Sequence, residues 1–376
     1  LTLREIDPPE GLVIPSDPNS GAIVLLASDD SAIAGKSYHL VDDGGQAIQR
    51  LERYGFEELP ERTIRGPDGH TYYRFFRLPP GQGQKVVSAF TPVDGQPVLA
   101  NGLRLLGYTT YEDGKLGGKV KMSLLWRLSQ APSDYVWVEY NLFAHMVDHE
   151  GMEHGSQDQE LFQYMAWRGD DLLITDHDLD VTQDMDPGLV WFNIGAYSRF
   201  DHADVPWVDE SGTAKPQTVS VGPEKIAPST DVRAPGTPTD TAFANGIRLV
   251  GYDLDRNAAG TDNKLGITLH WETEALLPED YVVSVQILDE SMNLIAQDDS
   301  LPVGGRYPTT YWEPGEVILD QHSLTVPPEV GQGKYSLTVV LYSQQTQQRL
   351  ALKSGEGDMA FLLTFDGSIR AKAAGR

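Results

Sequence analysis

The chain has 376 residues, 29 of them basic and 55 acidic, for a formal net charge of −26. That excess of carboxylates repels phosphate backbones and anionic lipid headgroups, so nucleic acid and membrane-surface binding are excluded as primary roles. Cysteine is absent, which removes disulfides, thiolate nucleophiles, Cys-ligated zinc and iron–sulfur clusters.

A content of 40% hydrophobic and 22% charged residues marks a folded chain, and its length suggests two or three domains at roughly 100–200 residues each. The longest apolar runs, such as residues 22–27, fall far short of the roughly 20 needed to cross a bilayer, so no membrane insertion by the chain itself is expected. It opens at Leu1 without an initiator Met, which points to a processed chain or a piece of a longer one.

Residues 1–90 read as a small α/β module. A buried strand is predicted at residues 22–27, a short helix at 43–54 with Ala47, Ile48 and Leu51 on one side, and a second strand at 71–78. Pro79-Pro80-Gly81 closes the module, and a β-only alternative stays open. Beyond it the chain repeats itself. Asn101-Gly102-Leu103-Arg104-Leu105-Leu106-Gly107-Tyr108 returns as Asn245-Gly246-Ile247-Arg248-Leu249-Val250-Gly251-Tyr252, 144 residues later. Trp126 matches Trp271, Trp167 matches Trp312, His177 matches His322 and Tyr197-Ser198 matches Tyr342-Ser343, all 145 apart. Asp134-Tyr135-Val136 pairs with Asp280-Tyr281-Val282.

Each copy reads as strands, because apolar residues alternate in short runs bounded by Gly, Pro, Asp and Asn. Residues 281–288 place Tyr281, Val283, Val285 and Ile287 on one face, and residues 334–342 and 359–365 give two further strands. The predicted fold is therefore mainly β: two tandem homologous antiparallel β-sandwiches, Ig-like or jelly-roll-like, over residues 91–225 and 241–376. A Pro-rich linker is expected between them at 226–240.

The run Pro302-Val303-Gly304-Gly305-Arg306-Tyr307-Pro308-Thr309-Thr310-Tyr311-Trp312-Glu313-Pro314-Gly315-Glu316, followed by Gly333-Lys334-Tyr335, resembles the extracytoplasmic β-sandwich regions of multi-pass membrane glycosyltransferases. The type is the protein-mannosyltransferase of Chloroflexus-like bacteria. The second copy carries the resemblance; in the first, Trp167-Arg168-Gly169-Asp170 replaces Trp312-Glu313-Pro314-Gly315 and the Gly-Gly-x-Tyr-Pro segment is missing. The resemblance implies an extracytoplasmic, membrane-tethered location. It carries over no catalytic residue, because the catalytic carboxylates of such enzymes lie between membrane helices.

His149-Glu150-Gly151-Met152-Glu153-His154 fails as a zinc-protease motif, since its histidines are five apart rather than four, and it reads better as a turn. Asp176, Asp178 and Asp180 alternate like the opening of a calcium loop, as do Asp253 and Asp255. The Gly and Glu that the helix–loop–helix site needs are replaced by Val181 and Pro187 in one case, and by Ala258 and Lys264 in the other. Strand-borne calcium at these five carboxylates is the one cofactor expectation, set against a plain reading as solvated strand edges. His177 and His322 read as strand residues with local hydrogen bonds.

Aromatic rings are the better lead, because sugars stack their C–H faces on exposed rings. Tyr307 and Tyr311 lie in a loop-rich stretch, and Trp137 and Trp207 are further candidates, whereas rings repeated in both copies read as core. The expected role is that of a noncatalytic portion binding glycan or a cell-surface protein. A self-assembling cell-surface subunit and a secreted polysaccharide-active enzyme are the alternatives.

Overall fold

The computed structural model describes residues 12–15, 20–27, 46–111, 114–128, 140–160, 171–216, 218–255, 264–327 and 333–366. They fall into two compact units, one drawn from Leu1–Gly114, Gly118–Thr182 and Val190–Glu224, the other from Lys115–Gly117, Gln183–Leu189 and Lys225–Arg376. No helix among the described residues is long and apolar enough to cross a membrane.

The first unit runs through β1 (Leu12–Ile14), β2 (Ala22–Ala27), α1 (Gln46–Arg53), β3 (Glu57–Glu58), β4 (Ile64–Arg65), β5 (Thr71–Leu78) and α2 (Gly83–Ser88). It continues with β6 (Thr91–Pro92), β7 (Val98–Leu99), β8 (Leu103–Thr110), β9 (Gly114–Lys115), β10 (Lys119–Leu128), β11 (Tyr140–Val147) and β12 (Glu153–Glu160). Strands β13 (Leu172–Asp180), β14 (Gly188–Ser198), β15 (Trp207–Val208) and β16 (Val219–Ala227) complete the series. The predicted strands at 22–27 and 71–78 match β2 and β5, and α1 buries Ala47 and Leu51 as its spacing requires.

The N-terminal segment does not stand apart. β2, β5, β3 and β4 form a small antiparallel sheet, while β1 crosses over to pair with β13 and becomes an edge of the sheet β1-β13-β10-β8-β7-β15. Leu26, Leu51, Tyr54 and Phe76 then share one core with Leu106, Leu125 and Ile174 of that sheet. Both faces of β10 are consequently buried: Met122, Leu124 and Trp126 on one, Ser123 and Leu125 on the other. The second sheet of the unit has the order β12-β11-β14-β16-β9.

The second unit contains β17 (Thr237–Ala242), β18 (Ile247–Asp255), β19 (Lys264–Thr273), β20 (Tyr281–Asp289), β21 (Leu294–Ser300), β22 (Ile318–Thr325), β23 (Lys334–Ser343) and β24 (Ala360–Asp366). Sheets β17-β18-β19-β22 and β21-β20-β23-β24 pack face to face over one core, with Leu249, Leu269 and Trp271 from one sheet meeting Val283, Val285, Ile287 and Val339 from the other. Each such side chain removed from water is worth about 1.5–3 kcal/mol. The expected linker is shorter than 226–240, because β16 and β17 run into it from either side.

The pairing registers explain the repeated motif. Asn101 and Asn245 each accept the amide two residues on, at 3.2 Å, and the glycine between adopts φ +92 at Gly102 and +96 at Gly246, which only glycine takes without strain. A bulge then lets the strand skip Leu106 or Val250 against its neighbour. Tyr108 and Tyr252 follow, their hydroxyls donating to the carbonyls of Gly222 and Leu362 at 3.2 and 3.1 Å.

One sequence correspondence shifts. Residues 134–136 lie outside the described residues, and it is Tyr140, opposite Ser198, that occupies the place of Tyr281, opposite Ser343. Asp148 and Asp289 open the two hairpins that follow, each accepting the amides two and four residues on. Register is a property of strand pairs, and a short Asp-Tyr-Val match does not define it.

Candidate functional site

The rings singled out in the sequence lie mostly inside. Tyr307 is fully buried; its hydroxyl donates to Glu316 Oε2 at 2.8 Å, and Trp312 Nε1 donates to its carbonyl at 3.0 Å. Burial and the Glu316 carboxylate beside it push the phenol far above its usual range. Tyr311 packs edge-on against it at 6.2 Å, half-buried, so this stretch is a plug for the core rather than a sugar platform. Trp207 is buried and stacks on Trp126 at 6.5 Å. Trp137 lies outside the described residues.

The five carboxylates are dispersed. Asp176 pairs with Arg50 Nε at 2.6 Å and accepts the Ser123 hydroxyl, while Asp180 pairs with Lys119 at 3.0 Å. The backbone amide of Asp178, half-buried between them, donates to Gln157 Oε1. Asp253 accepts the Gly236 amide at 2.8 Å and meets His270 Nε2 at 2.8 Å; Asp255 stands at the end of β18. Among the described residues no three His, Cys, Asp or Glu side chains converge as a metal would need. Asp148 takes His154 into its turn at 2.8 Å, and that histidine serves the hairpin.

The matched histidines point inward at the same place in two strands. In β22 the alternation of Ile318, Asp320, His322 and Leu324 is strictly inward, with Asp320 fully buried. Asp320 Oδ2 accepts Trp271 Nε1 at 3.3 Å and meets His322 Nε2 at 2.9 Å, while Asp298 takes His322 Nδ1 at 3.0 Å. In β13 the place of Asp320 is held by Thr175, which accepts Trp126 Nε1 at 3.1 Å and lies 3.3 Å from His177 Nε2. Among the described residues the His177 Nδ1 has no hydrogen-bond partner.

Burial therefore holds His177 down to about 4, with the Arg50 charge adding to the effect. For His322 burial acts in the same direction, but Asp320 and Asp298 outweigh it and the pKa is raised above 6.5. The signs oppose. The His177 contribution to stability is present above pH 6.5 and is lost as pH falls toward about 4. The His322 contribution is complete below 6.5 and is lost as pH rises through its raised value. Hydrogen exchange corrected for intrinsic rates should show β13 loosening on the acid side and β22 on the alkaline side; loosening of both in the same direction would contradict the assignment.

One face presents rings to solvent. Along β11, Tyr140, Leu142, Ala144 and Met146 point into the core while Asn141, Phe143 and His145 point out. Phe143 lies opposite Gly195 of β14, where any Cβ would overlap its ring, so glycine lets the phenyl lie flat on the sheet with its other face outward. Tyr197 stacks beside it at 6.5 Å and 27°, His202 beyond at 5.9 Å and 29°, and His145 on the other side at 4.6 Å and 39°. The row crosses the strands. Phe200, on the same turn as His202, is 93% exposed.

Polar groups border the rings. Asn141 Nδ2 donates to Tyr197 Oη at 2.7 Å, and that hydroxyl donates to Asp158 Oδ2 at 2.8 Å. His145 Nε2 lies 3.7 Å from Asp158 Oδ1, and its Nδ1 lies 3.3 Å from Glu153 Oε2. In the second unit the register places Ser284, Gln286, Val282 and Val340 where Phe143, His145, Asn141 and Gly195 stand. The Tyr–Asp pair persists there, as Tyr342 and Asp299 at 3.2 Å, and the flat ring is gone. Sequence reasoning passed over this face; its signal is the outward parity of Phe143 and His145 in β11 with a glycine facing them.

No protein-family model and no curated protein sequence matches the chain. Among solved structures it is similar to a glycosyl hydrolase family 2 member from Bacteroides cellulosilyticus, at 9% identity and TM-score 0.21, over 67% of this chain and 29% of that one. The C-terminal domain of the Streptococcus agalactiae AgI/II polypeptide BspA gives 8% identity and 0.23, over 69% and 98%. A Bacteroides uniformis beta-glucuronidase gives 10% and 0.20, over 63% and 26%. The chain thus spans under a third of the hydrolase chains, and similarities at this level carry no argument about its role.

Proposed function

We propose that this chain is a noncatalytic glycan-recognising portion of an extracytoplasmic protein, built from two copies of one β-sandwich, of which the first carries the binding face. The observation that carries the reading is the row His145, Phe143, Tyr197 and His202 on an open sheet face of the first unit, set against its replacement by Ser284 and Gln286 in the second. Flat rings bordered by hydrogen-bonding groups suit the alternating C–H and hydroxyl surfaces of a pyranose. The likeness of residues 302–316 to glycosyltransferase-attached sandwiches supports an extracytoplasmic setting, in which the acidic surface keeps the chain soluble.

Titration calorimetry of the whole chain against soluble glycans tests the reading. Phe143→Ala and Tyr197→Ala should each weaken binding by about fivefold to tenfold, the range of one aromatic contact. Gly195→Val, which installs the residue of the second unit, should do the same by lifting the Phe143 ring, while Tyr342→Ala should leave affinity unchanged. Equal losses from Tyr197→Ala and Tyr342→Ala would sink the proposal.

A further inference from the structure

The geometry points to a linear, uncharged glycan chain as the ligand of the ring row, bound lengthwise and excluding uronate or sulfated polymers. This inference rests on the glycan-binding reading of the same face. Its first ground is shape. Ring centroids follow one another at 4.6, 6.5 and 5.9 Å with planes inclined by 39°, 27° and 29°, which makes a shallow track across two strands rather than a pit. A pit would select a terminal sugar; a track of rings spaced by about one sugar length gains contact with every added unit of a polymer.

The second ground is the chemistry of the border. Two of the groups beside the rings end in carboxylates: Asp158, 45% exposed, holds the Tyr197 hydroxyl, and Glu153, 50% exposed, lies against His145. Carboxylate oxygens accept hydrogen bonds from neighbouring hydroxyls of one sugar, and they repel a ligand carboxylate or sulfate at close range. The net charge of −26 opposes the approach of any polyanion from a distance. Asp158 and Glu153 thus favour hydroxyl donors over anions along this border.

The test uses the full chain and the tetraoses of glucose, xylose, mannose and N-acetylglucosamine, with their disaccharides, beside tetragalacturonate. At least one neutral tetraose should bind, with its disaccharide about tenfold weaker through lost ring contacts, and tetragalacturonate at least about tenfold weaker at low salt. The double variant Asp158→Asn, Glu153→Gln keeps the hydrogen-bonding shapes and should narrow the gap between neutral and anionic tetraoses. Tetragalacturonate binding as tightly as the neutral chains, while still lost in Phe143→Ala, would overturn the ligand class and leave the binding face standing. Equal affinity for disaccharide and tetraose would overturn lengthwise binding. Absence of binding by every probe would overturn this inference and the proposed function together.

Discussion

Replacing Asp320 with alanine is expected to cost the second unit about 3–5 kcal/mol, the range for removing one partner from a buried charge pair. Asp320 is fully buried and serves three donors at once: the Trp271 indole, the His322 imidazole and the Val303 amide, the last at 2.9 Å. Without it the indole and the amide lose their acceptor inside the core, and His322 keeps only the partly exposed Asp298. Urea unfolding followed by hydrogen exchange along β22 would localise the loss. Asp320→Thr should cost less, because a hydroxyl still accepts from Trp271 as Thr175 does from Trp126, and it should carry the His322 pKa down toward the behaviour of His177. A loss below about 1 kcal/mol for the alanine variant would show that the carboxylate is dispensable and the network misassigned.

Arg50→Met should destabilise the first unit by about 3 kcal/mol, because Asp176 would remain in the interface of α1 and the sheet without its counter-charge. Arg50 reaches Asp176 at 2.6 Å and the Ile174 carbonyl at 3.2 Å, with side-chain exposures of 7% and 16% for the two partners. Tyr54 donates to Ser123 at 2.7 Å, and Ser123 in turn to Asp176, so the loss should spread to the helix. The double replacement Arg50→Met, Asp176→Leu should recover most of the stability, since an apolar pair exchanged for a buried ion pair is often neutral or better. A double-mutant cycle measures the coupling directly. Calcium chelation separates this role from the metal-ligand reading: it should leave the unfolding midpoint of the unaltered chain where it was, and a drop as large as that of Arg50→Met would reinstate Asp176 as a calcium ligand.

Strand identity was legible where alternation is strong. Residues 22–27 and 71–78 read as strands with the observed limits, and Tyr281, Val283, Val285 and Ile287 are buried on one face as their spacing requires. The burial of Tyr307 was not legible. Gly304, Gly305 and Pro308 flag a loop, yet the loop turns inward because Glu316 and Trp312 satisfy the polar atoms of the tyrosine there. Loops are usually solvated, and nothing local says which one closes a core.

By itself the sequence determined the recurrence of the Asn-Gly motif, the turn chemistry of Asn101-Gly102 and Asn245-Gly246, and which residues of a strand share a face. Those follow from dihedral preferences and a two-residue alternation, which act within a few residues of chain. Only the tertiary structure decided that Gly195 lies under Phe143, that Arg50 meets Asp176 across 126 positions of sequence, and that His177 and His322, at matched places, have pKa values shifted in opposite directions. Each of these depends on strand register and on the dielectric around a side chain, and both are set by segments distant in sequence that come together only in the folded chain.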